Sequence, residues 1–516
     1  MLPLDTRKDT HLKIGRLLRK TMENDDIDSM AFMILSHYNE SRDLVTDKEE
    51  LAYIADLNRI ASEKTRRSMA YETAKVFCQI GLDILNTIGM DFAWTNHYKT
   101  TFSLHKTMAT STSFMGDYAV SEIFCKSCIE HANNADDKSY AVMLYANMCH
   151  AQLKVAELLA LSKGELKDMG ILIPEQDQMN HNIESELVEL KKKIERGNIE
   201  EIYHSLPILT TAAENNVFHH LSYVQTTGSN LNNWEMAYWA AMKAANLTLQ
   251  RGISFRGATI FAFLSAPLCW KKCWKLAGIA RELSIKFLKH TPMDFKARIL
   301  VELVYYCPFA LTTLELEFKI SEGYRVASDG GVISVKMFAL FSTLPAHMVH
   351  SKSLADGREL DLRFRSVAEQ FRGFVLDQWN YFAKCIEHFA KGPEEAPLPE
   401  PTTLAIMQQI PTPYIVASAY IYGNKQERRH ASAYIDRDNY AFNGCLFDIW
   451  NQFFMALIHL DEYEGQTSEE QAKTMLAINT HQEKIAGMVE LSKDQFRCLW
   501  LIVEAEKVKK NNAFEI

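Results

Sequence analysis

Gly116-Asp117-Tyr118-Ala119-Val120-Ser121-Glu122-Ile123-Phe124-Cys125-Lys126-Ser127-Cys128 carries the spacing that decides the fold. A Gly-Asp turn signal introduces an aromatic residue, Tyr118, and small residues recur 3, 7 and 10 positions later at Ser121, Cys125 and Cys128. On a helix these positions lie along one face, and small side chains there let a neighbouring helix approach to within about 8–10 Å. The aromatic ring at the helix start would then cover the joint between the two. Three other segments share the pattern: Tyr71, Ala74, Cys78, Gly81; Trp234, Ala237, Ala241, Ala244; and Trp270, Cys273, Ala277, Ala280.

This is similar to the second helix of a tetratricopeptide hairpin, with its Gly-Asp-Tyr start and small residues at helical spacing. The four starts are 47, 116 and 36 residues apart, whereas a regular array would repeat every 34 or so. The expected fold is therefore all-α, a tetratricopeptide-like α-α superhelix of degenerate, padded hairpins. Apolar stripes at helical spacing support helix throughout: Ile14, Leu17 and Leu18 near the start; Ile183, Leu187, Leu190 and Ile194; and Phe496, Leu499, Ile502 and Val503 near the end. With only 21 Gly and 13 Pro in 516 residues, long helices joined by short turns fit better than many-stranded sheets.

One break stands out. Pro393, Pro397, Pro399 and Pro401 forbid a continuous helix, and Pro411 and Pro413 follow. The expected division is a superhelix over 1–391, a Pro-rich connector over 392–403, and C-terminal helical repeats over 404–516 that continue it.

A net charge of −9 gives no general pull toward nucleic acid or anionic lipid, and acidic neighbours such as Glu189 and Glu195 neutralise Lys191-Lys192-Lys193. The longest near-apolar stretch, Ala258 to Trp270, contains Pro267 and falls short of the roughly 20 residues of a membrane span. Asp5, Arg7, Lys8 and Asp9 stand where a signal peptide would be apolar. Ten cysteines, mostly within apolar helical stretches such as those around Cys149, Cys307, Cys385 and Cys498, read as small hydrophobes in a reducing compartment. No nucleic-acid or membrane partner and a cytoplasmic location are expected.

The motifs of catalysis are missing. No Gly-Lys-Ser/Thr, no His-Glu-x-x-His and no Gly-x-Ser-x-Gly occurs. Ser328-Asp329-Gly330-Gly331 lacks the phosphate-loop lysine and reads as a turn. Cys125-x-x-Cys128 with Cys149-His150 cannot supply the paired spacing of a zinc site, and Cys269 and Cys273 among Lys271, Lys272 and Lys275 lack a positioned base. His219-His220 point about 100° apart on a helix. Neither a cofactor nor a metal nor a catalytic residue is expected.

Four stretches carry a wider resemblance: Leu2 to Leu18; Ala70-Tyr71-Glu72-Thr73-Ala74 through Gly81 to Leu85; Lys167-Asp168-Met169-Gly170-Ile171-Leu172-Ile173-Pro174; and Gln495-Phe496 through Leu501-Ile502-Val503-Glu504-Ala505-Glu506. In this order they resemble the helical region that follows the AAA-type predicted ATPase domain in very large multidomain signalling proteins. There a kinase-like domain and the ATPase precede a tetratricopeptide-like superhelix, and sensor, histidine-kinase or cyclase domains follow. The resemblance implies a non-catalytic relay module, a piece of a longer chain, whose partners are ATPase- or kinase-type domains of the same or an associated chain. The alternative from the residues themselves is a regulatory domain that senses a small molecule at Trp234, Tyr238, Trp239, Trp270 and Trp274.

Overall fold

The computed structural model describes residues 4–21, 27–68, 70–152, 154–194, 198–291, 353–369, 374–400, 412–432, 448–491 and 493–512, with Arg325 and Leu344. Among them are 22 α-helices and no β-sheet, so the chain is all-α. A single backbone bridge joins Ile208 to Ile253. Cys307, Ser328–Gly331 and the end of the Pro-rich connector lie outside the described residues.

The chain divides into two compact units, with breaks after Leu158 and around Thr211–Asn216. The first holds α1 (Leu4–Thr21), α2 (Ile27–Ser41), α3 (Lys48–Arg67), α4 (Tyr71–Ile88), α5 (Met90–Asn96), α6 (Tyr98–Phe114), α7 (Tyr118–His131) and α8 (Ala135–Ala151). α9 (Val155–Asp168) and α12 (Ala212–Asn230) each contain a break point; α10 (Met179–Ile194) and α11 (Ile199–Ser205) belong to the second unit. So do α13 (Trp234–Arg251), α14 (Gly257–Trp270), α15 (Trp274–Phe287), α16 (Leu354–Ala368), α17 (Phe374–Lys391), α18 (Thr412–Tyr422), α19 (Lys425–Ser432), α20 (Asp448–Glu462), α21 (Ser468–Leu491) and α22 (Lys493–Asn512).

α3 shows why these segments are helices. Leu51, Ile54, Ala55, Asn58, Ala61 and Ser62 recur at helical spacing and are buried, while Asp47 opens the helix by accepting the Glu50 amide and Lys64, Arg66 and Arg67 occupy its negative end. α4 then packs on both α3 and α6, α6 on α7, and α7 on α8. In the second unit α10 packs on α13, α13 on α14 and α14 on α15. α14 is buried from Gly257 through Cys269, which accounts for its apolar run as core; its proline falls in the last turn.

The Pro-rich stretch breaks the helix after Lys391, as its rings require. The helices on its two sides nonetheless lie in one unit. His388 of α17 bonds to Ala396 O through Nδ1 (2.7 Å) and to Ser418 Oγ of α18 through Nε2 (2.7 Å), stapling the connector and both helices together.

Candidate functional site: the hairpin joints

Four hairpins share a three-residue turn, residues 68–70, 115–117, 231–233 and 271–273. In each, the last turn residue donates its amide five positions back: Ala70 to Thr65 O, Asp117 to Thr112 O, Asn233 to Gly228 O and Cys273 to Leu268 O, at 2.8–2.9 Å. Lys154 does the same to Cys149 O between α8 and α9. The middle residue is left-handed wherever it is described: Gly116 at φ 83°, Asn232 at 57° and Lys272 at 55°. This closes the first helix by satisfying its orphan carbonyls.

The residue after the turn opens the second helix, and it is aromatic in all four: Tyr71, Tyr118, Trp234 and Trp274. Tyr71 is buried and stacks on Phe114, ring centres 4.9 Å apart. Ala74, Cys78 and Gly81 are buried below it; a β-carbon on Gly81 would meet Leu104 of α6 at 2.8 Å and Asn58 of α3 at 3.3 Å, so the missing side chain is what seats α4 between them. In α7, Ser121 is buried and donates to Ala109 O of α6 at 2.9 Å, which only a close backbone approach allows. Ala237, Ala241 and Ala244 are buried in α13.

The fourth segment differs from the expected register. Trp270 is the last residue of α14 and Cys273 the residue that precedes α15, so the segment straddles a turn. The helix-opening aromatic is Trp274, with Ala277 at +3 and Ser284 at +10; Ser284 donates to Ala258 O at 2.6 Å. From Trp274 the spacing is kept only at +3 and +10, since +7 is the buried Arg281, and Lys271-Lys272-Cys273 carries no Gly or Asn to mark the turn. Ala277 and Ala280 are buried in α15 in either reading.

A polar seam between α3 and α6 is the main charged feature at these joints. Arg59 Nε donates to Asp56 Oδ1 (2.6 Å), Thr100 Oγ1 donates to the same oxygen (2.6 Å), and Ser103 donates to Glu63, which also pairs with Arg59 (3.4 Å). Burial opposes ionisation of Asp56, but the bonds from Arg59 and Thr100 outweigh it and hold its carboxyl below the usual range. The Asp56, Arg59, Glu63 spacing of 3 and 4 was visible in the sequence; the partners on α6 were not.

Arg59 pairs with both seam carboxylates, whose other bonds come from the Thr100 and Ser103 hydroxyls. Burial pushes the thiols of Cys78, Cys125 and Cys385 up to about 12 and those of Cys149 and Cys269 to about 11, which suppresses the reactive thiolate. Among the described residues no cluster of three metal-ligating side chains occurs, and no single helix is long and apolar enough to cross a membrane. Of the aromatic set at the second unit's hairpins, Tyr238 and Trp239 are core, with Tyr238 5.5 Å from Trp270 and 6.2 Å from Phe263; Trp234 bonds to Asn232 Oδ1. Compared with known protein families, curated proteins and solved structures, the chain matches none.

Proposed function

We propose that this chain is a non-catalytic protein-binding and signal-relay module, in which tetratricopeptide-like hairpins hold ATPase- or kinase-type domains of the same or an associated chain. The observation that carries the reading is the shared hairpin joint: one turn geometry, an aromatic helix start and a small-residue face, used in both units. Stacked hairpins of this kind offer extended surface to a partner without needing a deep pocket, and each joint passes a displacement to its neighbour through close packing.

The relay half of the proposal rests on the resemblance to the helical region of ATPase-containing signalling proteins. Sequencing the transcript beyond Met1 and Ile516 tests it: the reading expects in-frame ATPase-like sequence upstream and an output domain downstream. Stop codons on both sides would defeat the relay and leave a free-standing adaptor of cytoplasmic type.

A further inference from the structure

Two histidines outside the hairpin joints face one another across the first helix pair. His11 of α1 and His37 of α2 meet Nδ1 to Nδ1 at 3.0 Å, with ring centres 5.0 Å apart and planes inclined by 41°. Both residues are half-buried. We propose that this pair chelates a divalent transition-metal ion of square-planar or octahedral preference, of the copper(II) or nickel(II) class, a site that goes beyond the protein-binding reading.

The contact needs at least one bare Nδ1, because one ring donates and the other accepts. Moving the donor's proton to Nε2 gives the neutral tautomer that leaves both Nδ1 lone pairs for a metal, with no change of charge. Metal–imidazole bonds run about 2.0–2.1 Å, so an ion bonded to both nitrogens at their observed separation of 3.0 Å sees them at an angle of about 91–97°. That is the cis angle of a tetragonal ion, whereas the tetrahedral geometry of zinc would need nitrogens about 3.3–3.4 Å apart. The outer torsion of histidine is soft, and turning each ring about it brings both lone pairs onto the shared point.

The helices hold the pair in place. Gly15, one turn after His11, lets α1 close on α2: a β-carbon there would meet the ring of Tyr38, the residue after His37, at 3.2 Å. Tyr38 donates to Glu50 of α3 at 3.2 Å, and Arg16 of α1 donates to the same carboxylate at 2.9 and 2.7 Å. Both helices are thereby tied to one side chain of a third. Ligands fixed before the ion arrives lose little freedom when it binds.

Two of the cations on α1 carry their own counter-charges, Lys8 from Asp43 and Arg16 from Glu50, which limits their repulsion of an incoming ion. Two imidazoles fill two coordination positions. Water or a donor from an outside molecule fills the others, so the bound ion stays open to exchange.

Isothermal titration of the full chain with nickel(II) chloride tests the site, at about pH 7.5 so that ordinary imidazoles are neutral. The expected result is one saturable equivalent that H11N and H37N each weaken about tenfold or more. Asparagine keeps a polar group where Nδ1 stood but offers no imidazole. H181N, at an exposed histidine of α10, should leave the affinity unchanged. Nickel should also slow tryptic cleavage within α1 of the wild-type chain and not of H11N. Should an asparagine variant lose its thermal transition, the glutamine variant at the same position is held to the same criterion. No saturable equivalent on the wild-type chain, an affinity that H11N or H37N leaves undiminished, or equal protection of α1 in H11N would each overturn the proposal.

Discussion

The indole of Trp274 lies so close to Gly487 that a β-carbon added there would stand 2.0 Å from Trp274 Cε2. α15 and α21 are therefore locked by the absence of one atom. Gly487→Ala should destabilise the second unit by about 1–3 kcal/mol, the usual range for overpacking, read as a lower urea midpoint with the slope unchanged. A midpoint equal to wild type would mean the ring does not sit on α21.

Two left-handed glycines separate backbone strain from collision. Gly116 has φ 83° and open space around it, whereas Gly252 has φ 131° and a β-carbon there would stand 2.4 Å from Pro207 O. Gly116→Ala should cost about 1 kcal/mol from the backbone alone, and Gly252→Ala clearly more. Chemical denaturation of the two variants side by side checks the order, and a reversed order would contradict the described turn.

Buried histidines predict acid sensitivity. Burial lowers His105 and His220 to about 4 and His481 to about 3, well under the unfolded value near 6.5. Between pH 6.5 and 4 the unfolded chain takes up protons that the folded chain refuses, so stability present at neutral pH falls across that window. His105→Gln should flatten the loss of melting temperature between pH 7 and 4.5. A pH profile identical to wild type would show that His105 titrates normally in the fold.

The α3–α6 seam gives a coupling test. Asp56→Asn and Thr100→Val each remove part of one hydrogen-bonded set, so a double-mutant cycle should show an interaction of about 0.5–2 kcal/mol. Simple additivity would place Thr100 away from Asp56.

Helix content was legible from the apolar stripes, since a 3.6-residue period survives wherever one face is buried, as in Ile183, Leu187, Leu190 and Ile194, all now buried in α10. The joints were legible where a turn residue announces itself, as Gly116-Asp117 does before Tyr118. At Lys272 the left-handed residue has no Gly or Asn signature, so the register there moved by four. Pro393 to Pro399 correctly marked the end of a helix, yet His388 ties the connector back onto α18, a tertiary bond that no local pattern records. The Thr100 and Ser103 partners of the α3 carboxylates come from α6, more than 30 residues along the chain, where spacing carries no information.

The most direct test of the protein-binding claim is crosslinking mass spectrometry on the full chain in its own cells. The account predicts reproducible crosslinks from its helices to an ATPase- or kinase-type domain, weakened by Gly81→Leu, which unseats α4 from α3 and α6. Crosslinks confined to residues 1–516, or a partner set that this variant leaves untouched, would contradict it.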